Sequence, residues 1–462
     1  MGTLLIRNAS LVATFDGQRR ELSDAGLFVR DGLIEQVGPT RELPVKADEI
    51  LDLGGHVVLP GLINTHHHFY QTLTRAVPAA QNANLFNWLK ILYPIWARLT
   101  AEDIYVSTQT ALAELALSGC TTAADHLYLF PNGARLDDEI EAAREVGLRL
   151  HASRGCMSVG ESQGGLPPDS IVEDEDFILA ESQRLVAAFH EEQPGAMTQI
   201  VLAPCSPFSV SPDLMKKTVE LAREYKVTLH THLAETQDEE EYAQVHFGMR
   251  PVAWMETVGW VGEDVWYAHS VHVNDAEINL YAQRGCGVAH CPTSNMRLAS
   301  GIAPIARMVT AGVNVGLGVD GSASNDSSHM LAEARQAMLV SRMDAGLHGA
   351  SLSGDESELM SARQALELAT RGGAAVLGRD DIGSLEVGKC ADFVAFEMNQ
   401  LDYAGALHDP LAALVFCTPV RADFTVVGGR FIVKERELQT VEMGKIIETH
   451  NHAARRLVRG DS

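Results

Sequence analysis

The sequence lacks the features that mark several protein classes. It contains seven cysteines but no CxxC pair, so neither a zinc ribbon nor a disulfide framework is indicated, and reduced thiols in a cytoplasm are expected. It has no run of about 18 consecutive apolar residues, which argues against a membrane-spanning helix. The N-terminus has no basic start followed by a long apolar stretch, so no signal peptide is expected.

Basic residues are also few. Lys and Arg number 36 against 61 Asp and Glu, which gives a formal net charge of -25 at pH 7. A polyanionic partner such as DNA or RNA requires a basic face, so nucleic-acid binding is not expected. A free nucleobase or another small neutral ligand is compatible with this charge.

Two kinds of pattern occur along the 462 residues. Short strand-like runs with Asp-Gly and Gly-Gly turns occupy both chain ends. Between them, eight strand-like runs alternate with helix-like runs: 56–68, 120–129, 148–155, 198–208, 227–235, 265–273, 286–295 and 313–324. This alternation predicts an α/β fold, a (β/α)8 TIM barrel with a small discontinuous β-sandwich domain built from both chain ends. The predicted ranges are 1–58 and 384–440 for the β-sandwich, 59–383 for the barrel, and 441–462 for a C-terminal helix and tail.

Candidate functional residues fall at the ends of these strand-like runs, where a barrel of this kind carries its chemistry. The segment PGLINTHHH ends the first run, and because side chains of a strand alternate, His66 and His68 share a face while His67 points away. Three further runs end in LHTHLAET, AHSVHV and GLGVDGSAS, which supply His232, Glu235, His269 and Asp320.

These residue types suit metal-dependent hydrolysis. Three imidazoles and a carboxylate, with room for a water molecule, favour one divalent ion, zinc with iron as the alternative. Such an ion lowers the pKa of its water and creates a hydroxide nucleophile. Candidate ligands at the strand ends include His66, His68, His232 and Asp320. Glu235 and Asp320 are placed for proton transfer, and His269 is placed to orient the hydroxide.

Other histidines compete for these roles. His230 shares a face with His232, which is preferred because it lies nearer the strand end and Glu235 follows it. Single strand-end histidines are more often structural hydrogen-bonding residues than ligands, so His151 and His290 are expected to be structural. His126 and His272 stay unassigned.

The motifs PGLINTHHH, HTHLAET, AHSVHV, VAHCPTSNMRLASG and GLGVDGSASND resemble the amidohydrolase superfamily, and within it the mononuclear-metal deaminases. The resemblance covers nearly the whole chain, and it implies the four metal ligands above, with Glu235 as proton shuttle and His269 beside the hydroxide. The fourth strand-like run, TQIVLAPCSPF, has no lysine, which disfavours a bridged dinuclear centre. No HxE motif accompanied by PCxxC occurs, which excludes the other zinc deaminase architecture.

The segments HHHFYQTLTRA, APCSPFSVS and GVDGSASNDS most resemble superfamily members that act on 8-oxoguanine. They imply hydrolysis of its 2-amino group to give uric acid and ammonia. Gln71 would read the purine edge and Cys205 would face a ring substituent. Trp88 and Arg154 are candidate pocket residues, with core packing and a surface ion pair as their respective alternatives.

Other functions stay open at this point. Gln71 has the same spacing in chlorotriazine hydrolases, so an s-triazine chlorohydrolase or aminohydrolase is the nearest alternative. A guanine, isoguanine or adenosine-type deaminase would use the same metal chemistry. A non-catalytic scaffold is disfavoured because the whole ligand set and Glu235 are present. The apolar faces of a large barrel make a homo-oligomer the expected assembly.

Overall fold

The computed structural model of the chain describes residues 2–347 and 359–460. Within these residues the strands are β1 Thr3–Ala13, β2 Glu21–Arg30, β3 Leu33–Pro39, β4 Glu49–Asp52, β5 His56–Pro60, β6 Leu62–Asn64, β7 Cys120–Leu127, β8 Arg149–Cys156, β9 Thr198–Pro204, β10 Thr228–Leu233, β11 Val265–His269, β12 Gly287–His290, β13 Asn314–Leu317, β14 Phe393–Glu397, β15 Phe424–Val427, β16 Arg430–Lys434 and β17 Glu437–Leu438.

The α-helices of the described residues are α1 Leu85–Trp96, α2 Ala101–Leu117, α3 Leu136–Val146, α4 Glu175–Phe189, α5 Pro212–Tyr225, α6 Gln237–Phe247, α7 Pro251–Thr257, α8 Asp275–Arg284, α9 Pro292–Arg297, α10 Ile305–Ala311, α11 Met330–Leu347, α12 Ala362–Glu367, α13 Gly373–Val376, α14 Pro410–Phe416 and α15 Met443–Arg459. None of the helices in the described ranges has the length and apolar character that a membrane span requires.

Strands β6 to β13 form a closed parallel barrel in chain order. The barrel closes where Leu317 of β13 pairs with Asn64 of β6. Small side chains inside the barrel, including Ala124 and Ala289, pack in one cluster with Trp266, which is fully buried. The predicted barrel is confirmed, and each of its strands falls within one of the predicted runs, except that β8 extends one residue past its run, to Cys156.

The first of these runs differs from its prediction, because residues 56–68 do not form one strand. The backbone divides at Gly61: β5 before it joins the sheet of the chain ends, and β6 after it joins the barrel. A Cβ atom on Gly61 would lie 2.1 Å from Oγ1 of Thr121, so only glycine permits this close approach. An apolar run that changes sheets at a glycine has the same sequence pattern as one continuous strand.

The strands of both chain ends form one sheet of nine strands within the described residues, in the order β17-β16-β15-β14-β5-β1-β2-β3, with β4 paired to β1. The two ends meet where β5 and β14 pair antiparallel, with Pro60 opposite Phe393. Side chains from both ends share an apolar core that includes Ile6, Val29, Val58, Phe393 and Val426. The predicted β unit built from both chain ends is thereby confirmed.

A buried ion pair connects the sheet to the barrel. Arg149, at the start of β8, donates from Nε and Nη2 to the two carboxylate oxygens of Asp392, at 2.7 and 3.0 Å. Both side chains are 2% exposed. The Asp392 carboxylate also accepts the backbone N–H of Gly428, at 2.7 Å. This contact fixes the sheet against the N-terminal end of the barrel.

The domain ranges 1–58, 59–383, 384–440 and 441–462 stay predictions. Residues 348–358 of the predicted barrel range and residues 461–462 of the predicted tail lie outside the described residues. The expected final helix lies at Met443–Arg459. Helix α5 follows a Ser-Pro pair, and the Ser211 hydroxyl accepts the N–H of Leu214 at its start.

Candidate metal centre and active-site cavity

The three consecutive histidines lie in the loop that follows β6. The rings of His66 and His68 are close neighbours, with centroids 4.7 Å apart. His67 points away from them: its Nε2 donates to Oγ of Ser328 at 2.9 Å and its Nδ1 accepts the N–H of His68 at 2.8 Å. The two faces expected from alternation are therefore present.

Four ligand atoms converge at the carboxyl ends of the barrel strands. The Nε2 atoms of His66 and His68 lie 3.3 and 3.4 Å from Oδ1 of Asp320. Nε2 of His68 lies 3.2 Å from Nε2 of His232. A tetrahedral zinc ion with bonds of about 2.0–2.1 Å would separate its ligand atoms by roughly 3.4 Å. The donor set therefore fits a zinc ion.

Hydrogen bonds on the far side of each ring leave the converging nitrogens unprotonated. Nδ1 of His68 donates to the carbonyl of His126 at 2.7 Å, and Nδ1 of His232 donates to that of Cys205 at 2.6 Å. Nδ1 of His66 lies 2.8 Å from Nε2 of His230, whose own Nδ1 donates to the Trp266 carbonyl at 3.0 Å. Because Nδ1 of His230 is the donor to Trp266, its Nε2 accepts a hydrogen bond, and Nδ1 of His66 donates it. Nε2 of each converging ring thus carries a lone pair, as a metal ligand requires.

Burial keeps these imidazoles neutral. It lowers the pKa of His68 to about 3 and also lowers the pKa of His232 below its ordinary value. Nε2 of His66 is buried and has no hydrogen-bond partner in the part of the chain that the structure describes. A buried polar atom without a partner carries a desolvation cost that a bound cation would remove.

Two overlapping sets of ligand atoms occur within the described residues, each with all atoms within 4.8 Å of one another. One set contains His126 together with His66, His68 and His232, and the other contains His66, His269 and Asp320. We favour Asp320 over His126 as the fourth ligand, because its carboxylate supplies negative charge at 3.3–3.4 Å from two of the imidazoles. His126 donates from Nε2 to the Ala203 carbonyl and stacks on the His232 ring.

Glu235 lies beside this cluster, in the turn after β10. Burial raises its pKa to about 7, against a smaller opposing effect of His232. Its Oε1 accepts from the Ser300 hydroxyl at 3.4 Å, and its Oε2 lies 3.6 Å from Nε2 of His269. A carboxyl group that titrates near neutral pH can both accept and donate a proton during one reaction.

His269, at the end of β11, lies between two carboxylates. Its Nε2 is 3.6 Å from Glu235 and 3.9 Å from Oδ2 of Asp320, and its Nδ1 donates to Oδ1 of Asn295 at 2.9 Å. The backbones of His269 and Asp320 are left-handed, with φ of 72° and 62°. Strained non-glycine backbone of this kind concentrates at functional sites.

A buried carboxyl pair supports the histidine loop from below. Oδ1 of Asp125, on β7, accepts the N–H of Phe69 at 2.6 Å. Burial raises the pKa of Asp125 to about 8, while a hydrogen bond with Glu139 of α3 opposes this shift. Both carboxyl groups are 1% exposed. The pair therefore holds a proton at neutral pH, which lets one carboxyl group donate to the other.

A cavity opens above the cluster, and three of the four predicted substrate-binding residues line it. These are Gln71, Trp88 and Cys205, of which Trp88 donates from its ring N–H to the Ala323 carbonyl at 3.2 Å. The other lining residues are His68, Leu85, Leu89, Tyr93, Tyr128, Ser206, Phe208, His232, Glu235, Thr236, Glu239, His269, Leu298, Asp320 and Ser324. No lysine or arginine occurs in this wall as far as the described residues show.

The structure does not bring Arg154 to the cavity. Its guanidinium donates to both carboxylate oxygens of Glu173, at 2.9 and 3.0 Å, and lies 4.3 Å above the ring of Phe130. Arg154 therefore forms an ion pair, the alternative to a pocket role, although this pair is largely buried and not at the surface.

The carboxamide of Gln71 packs directly on Gly321, the residue after Asp320. A Cβ atom on Gly321 would lie 1.9 Å from Oε1 of Gln71. That oxygen is buried and has no partner. Gln71 therefore lines the cavity while its Oε1 packs against Gly321, and the absent side chain of Gly321 makes room for this oxygen.

Several residues of the site were not identified from the sequence. No sequence pattern assigns a role to Asn295, Ser300 or Glu239, and His230 enters only as a competing ligand. Asn295 and Ser300 lie within the quoted VAHCPTSNMRLASG motif, but their contacts join different loops. The period-two pattern of the strand places His230 on the same face as His232, and this pattern is the sequence signal that points to His230 as a residue of the site.

Comparison with known proteins extends these observations. Residues 57–432 match the amidohydrolase family. The 8-oxoguanine deaminase of Pseudomonas aeruginosa is 47% identical over 463 residues, covering 100% of both chains. The hydroxydechloroatrazine ethylaminohydrolase of Pseudomonas sp. (strain ADP) is 36% identical, covering 100% of this chain and 97% of that one. The crystal structure of atrazine chlorohydrolase from Arthrobacter aurescens, complexed with zinc, has a TM-score of 0.91 at 33% identity, covering 98% and 100%.

Proposed function

Because the chain belongs to the amidohydrolase family, we propose that it is a metal-dependent deaminase that hydrolyses 8-oxoguanine to uric acid and ammonia. The observation that carries the chemistry is the position of Glu235, a carboxyl group with a pKa of about 7 beside the four converging ligand atoms. The identity of the base is supported by the full-length similarity to a protein named for this activity.

We propose one zinc ion, held by His66, His68, His232 and Asp320, as the resident metal, with iron(II) as the alternative that suits the same ligands. When bound, such an ion makes a water molecule acidic enough to act as a nucleophile near neutral pH. The related chlorohydrolase structure is described as a zinc complex.

The side chains then manage the protons of the reaction. The carbon that bears the 2-amino group gains oxygen from water and loses its C–N bond to the amino group. Glu235 delivers a proton to the adjacent ring nitrogen, and Asp320 takes the proton from the added hydroxyl group. His269, between these carboxyl groups, aligns the nucleophile through Nε2. The amino group leaves with a proton as ammonia, so water and 8-oxoguanine yield uric acid and ammonia.

The cavity supports a neutral heterocycle as substrate. Its described wall has no lysine or arginine to pair with a phosphate or carboxylate, and it contains the carboxamide of Gln71, a group that can donate to and accept from a ring edge. Burial raises the pKa of the Cys205 thiol, so Cys205 presents a neutral S–H group. Trp88 supplies an aromatic wall on which a planar base can stack.

A second candidate is hydrolysis of s-triazines. It is favoured by the fold similarity to atrazine chlorohydrolase and by the presence of Gln71, whose spacing suits both substrate classes. The same proton transfers would expel chloride or an amine from an electron-poor triazine carbon.

A homo-oligomer also stays a prediction.

The test is ammonia release by the purified, zinc-loaded protein from 8-oxoguanine, guanine, isoguanine, adenosine and a chlorotriazine, with chloride followed for the last. We expect strong preference for 8-oxoguanine, with uric acid appearing in equal amount to ammonia. The variant Glu235→Gln is expected to keep its zinc and lose turnover. Preference for the triazine would replace the proposed substrate and retain the chemistry. No release from any compound by the zinc-loaded protein would overturn the proposal.

A further inference from the structure

The turn that carries Glu235 leads into α6 through the residues Thr236-Gln-Asp-Glu239, which have the sequence of a capping box. In a capping box the Thr hydroxyl would accept the N–H of Glu239, and the Glu239 carboxylate would accept the N–H of Thr236. Thr236 is the N-cap residue of α6, but it makes no side-chain capping hydrogen bond. Its hydroxyl is buried and has no partner. The sequence signature is therefore not used to cap the helix.

The Glu239 carboxylate instead reaches back to the preceding turn. Its Oε2 accepts the backbone N–H of Glu235 at 2.8 Å. Glu239 is 4% exposed, so this hydrogen bond is shielded from water. On the other side of the turn, the carbonyl of Ala234 accepts the N–H of His272 at 2.8 Å, and Ala234 itself has a φ of 53°. The strained turn is thus held from α6 and from the loop after β11.

Among residues 2–347 and 359–460, the Glu235 side chain has no comparably short contact of its own. Its two carboxylate oxygens lie 3.4 Å from the Ser300 hydroxyl and 3.6 Å from Nε2 of His269. Its location above the metal ligands consequently depends on where the backbone of the turn places its Cα atom.

We propose that Glu239 is the positioning residue for Glu235, acting through the hydrogen bond from its Oε2 to the Glu235 N–H. This inference rests on the proposed function only in taking Glu235 as the proton-transfer residue. Since a displacement of about 1 Å can cost roughly 100-fold in rate, loss of the hydrogen bond is expected to lower kcat rather than raise KM.

Three variants separate this role from others. Glu239→Gln keeps an oxygen acceptor at the same reach, and we expect kcat within about threefold of the parent enzyme. Glu239→Ala removes the acceptor, and Glu239→Asp keeps the carboxyl group but shortens its reach by one methylene. Both are expected to lose about 10- to 100-fold in kcat, the range typical of residues that orient a catalytic group, with KM changed less than about threefold.

The matched control is Asp238→Ala, an exposed carboxylate in the same turn of α6. It tests whether loss of negative charge at this helix end alone affects the enzyme, and kcat is expected to stay unchanged. Zinc content is measured for every variant. If Glu239→Ala does not fold, Glu239→Asp carries the same expectation.

A readout independent of activity completes the test. In hydrogen–deuterium exchange of the zinc-loaded protein, peptides that span 233–240 are expected to exchange faster in Glu239→Ala and Glu239→Asp and at the parent rate in Glu239→Gln. Unchanged exchange in the Ala and Asp variants would overturn the positioning role, whatever the substrate is. The positioning role would also be overturned by a change confined to KM, which would indicate a contact with the substrate. An equal loss of kcat in Glu239→Gln would overturn it as well. Absence of deaminase activity in the parent enzyme, with the expected exchange pattern, counts against the proposed function alone.

Discussion

Replacing His230 by Phe tests the hydrogen-bond chain behind the metal ligands. Phe retains an aromatic ring over Trp266, on which the His230 ring stacks with centroids 4.6 Å apart, but it removes the acceptor for Nδ1–H of His66. His66 is fully buried, so this donor would have no water to replace the lost partner. An unsatisfied buried donor costs about 1–3 kcal/mol, which converts at 1.4 kcal/mol per tenfold into zinc binding weaker by roughly 5- to 150-fold.

The assay is zinc affinity measured by competition with a chromophoric chelator at pH 7.5. Two variants bracket the expected result. His66→Ala removes a proposed ligand and is expected to abolish tight zinc binding. His67→Ala removes the ring that points to Ser328, and it is expected to weaken zinc binding less than His230→Phe does.

Two outcomes would refute this reasoning. If His230→Phe lost zinc as completely as His66→Ala, His230 would itself be a ligand and the assignment of His232 would need revision. If His230→Phe bound zinc as tightly as the parent protein, the hydrogen bond would not determine which nitrogen of His66 is free.

Three further perturbations follow from the same structure. Gly321→Ala should lower kcat/KM by about 10- to 100-fold at unchanged zinc content, because its Cβ atom would displace the Gln71 carboxamide; unchanged kinetics would show that Gln71 does not read the substrate. Asp392→Ala should destabilise the protein by about 3–5 kcal/mol in urea unfolding, since it leaves the charge of Arg149 buried and unpaired; a loss below 1 kcal/mol would contradict this. Because burial raises the pKa of both Asp125 and Glu139, their shared proton binds more tightly in the folded than in the unfolded chain, and stability should fall as pH rises above the ordinary carboxyl pKa of about 4. Asp125→Asn should reduce this slope, and an unchanged slope between pH 5 and 8 would count against the buried proton.

Strand-end position was the sequence signal that located most of the site. His66, His232 and Asp320 each follow an apolar run, and parallel barrel strands bring their carboxyl ends to one face. Periodicity therefore predicted both the fold and the side chains that gather there. Gln71 and Cys205, which line the cavity, are instead implied by the resemblance of the segments HHHFYQTLTRA and APCSPFSVS to superfamily members that act on 8-oxoguanine.

The same signal was insufficient where the direction of a side chain depends on a distant loop. Arg154 also lies near a strand end, but it pairs with Glu173, which precedes α4. The capping sequence that ends in Glu239 predicts a local helix cap, yet its carboxylate binds the turn of Glu235. Such contacts join segments whose relative positions are set by packing, which a local pattern does not encode.

The pairing of β5 with β14 has a consequence for biosynthesis. Pro60 lies opposite Phe393, so the partner edge of β5 is made only after the whole barrel has been translated. On the ribosome, β1 and β2 can pair early because they are adjacent in the chain, while the β5 edge stays open. An open strand edge is a site for mispairing with other chains, so the nascent N-terminal segment is where a chaperone would be needed for longest.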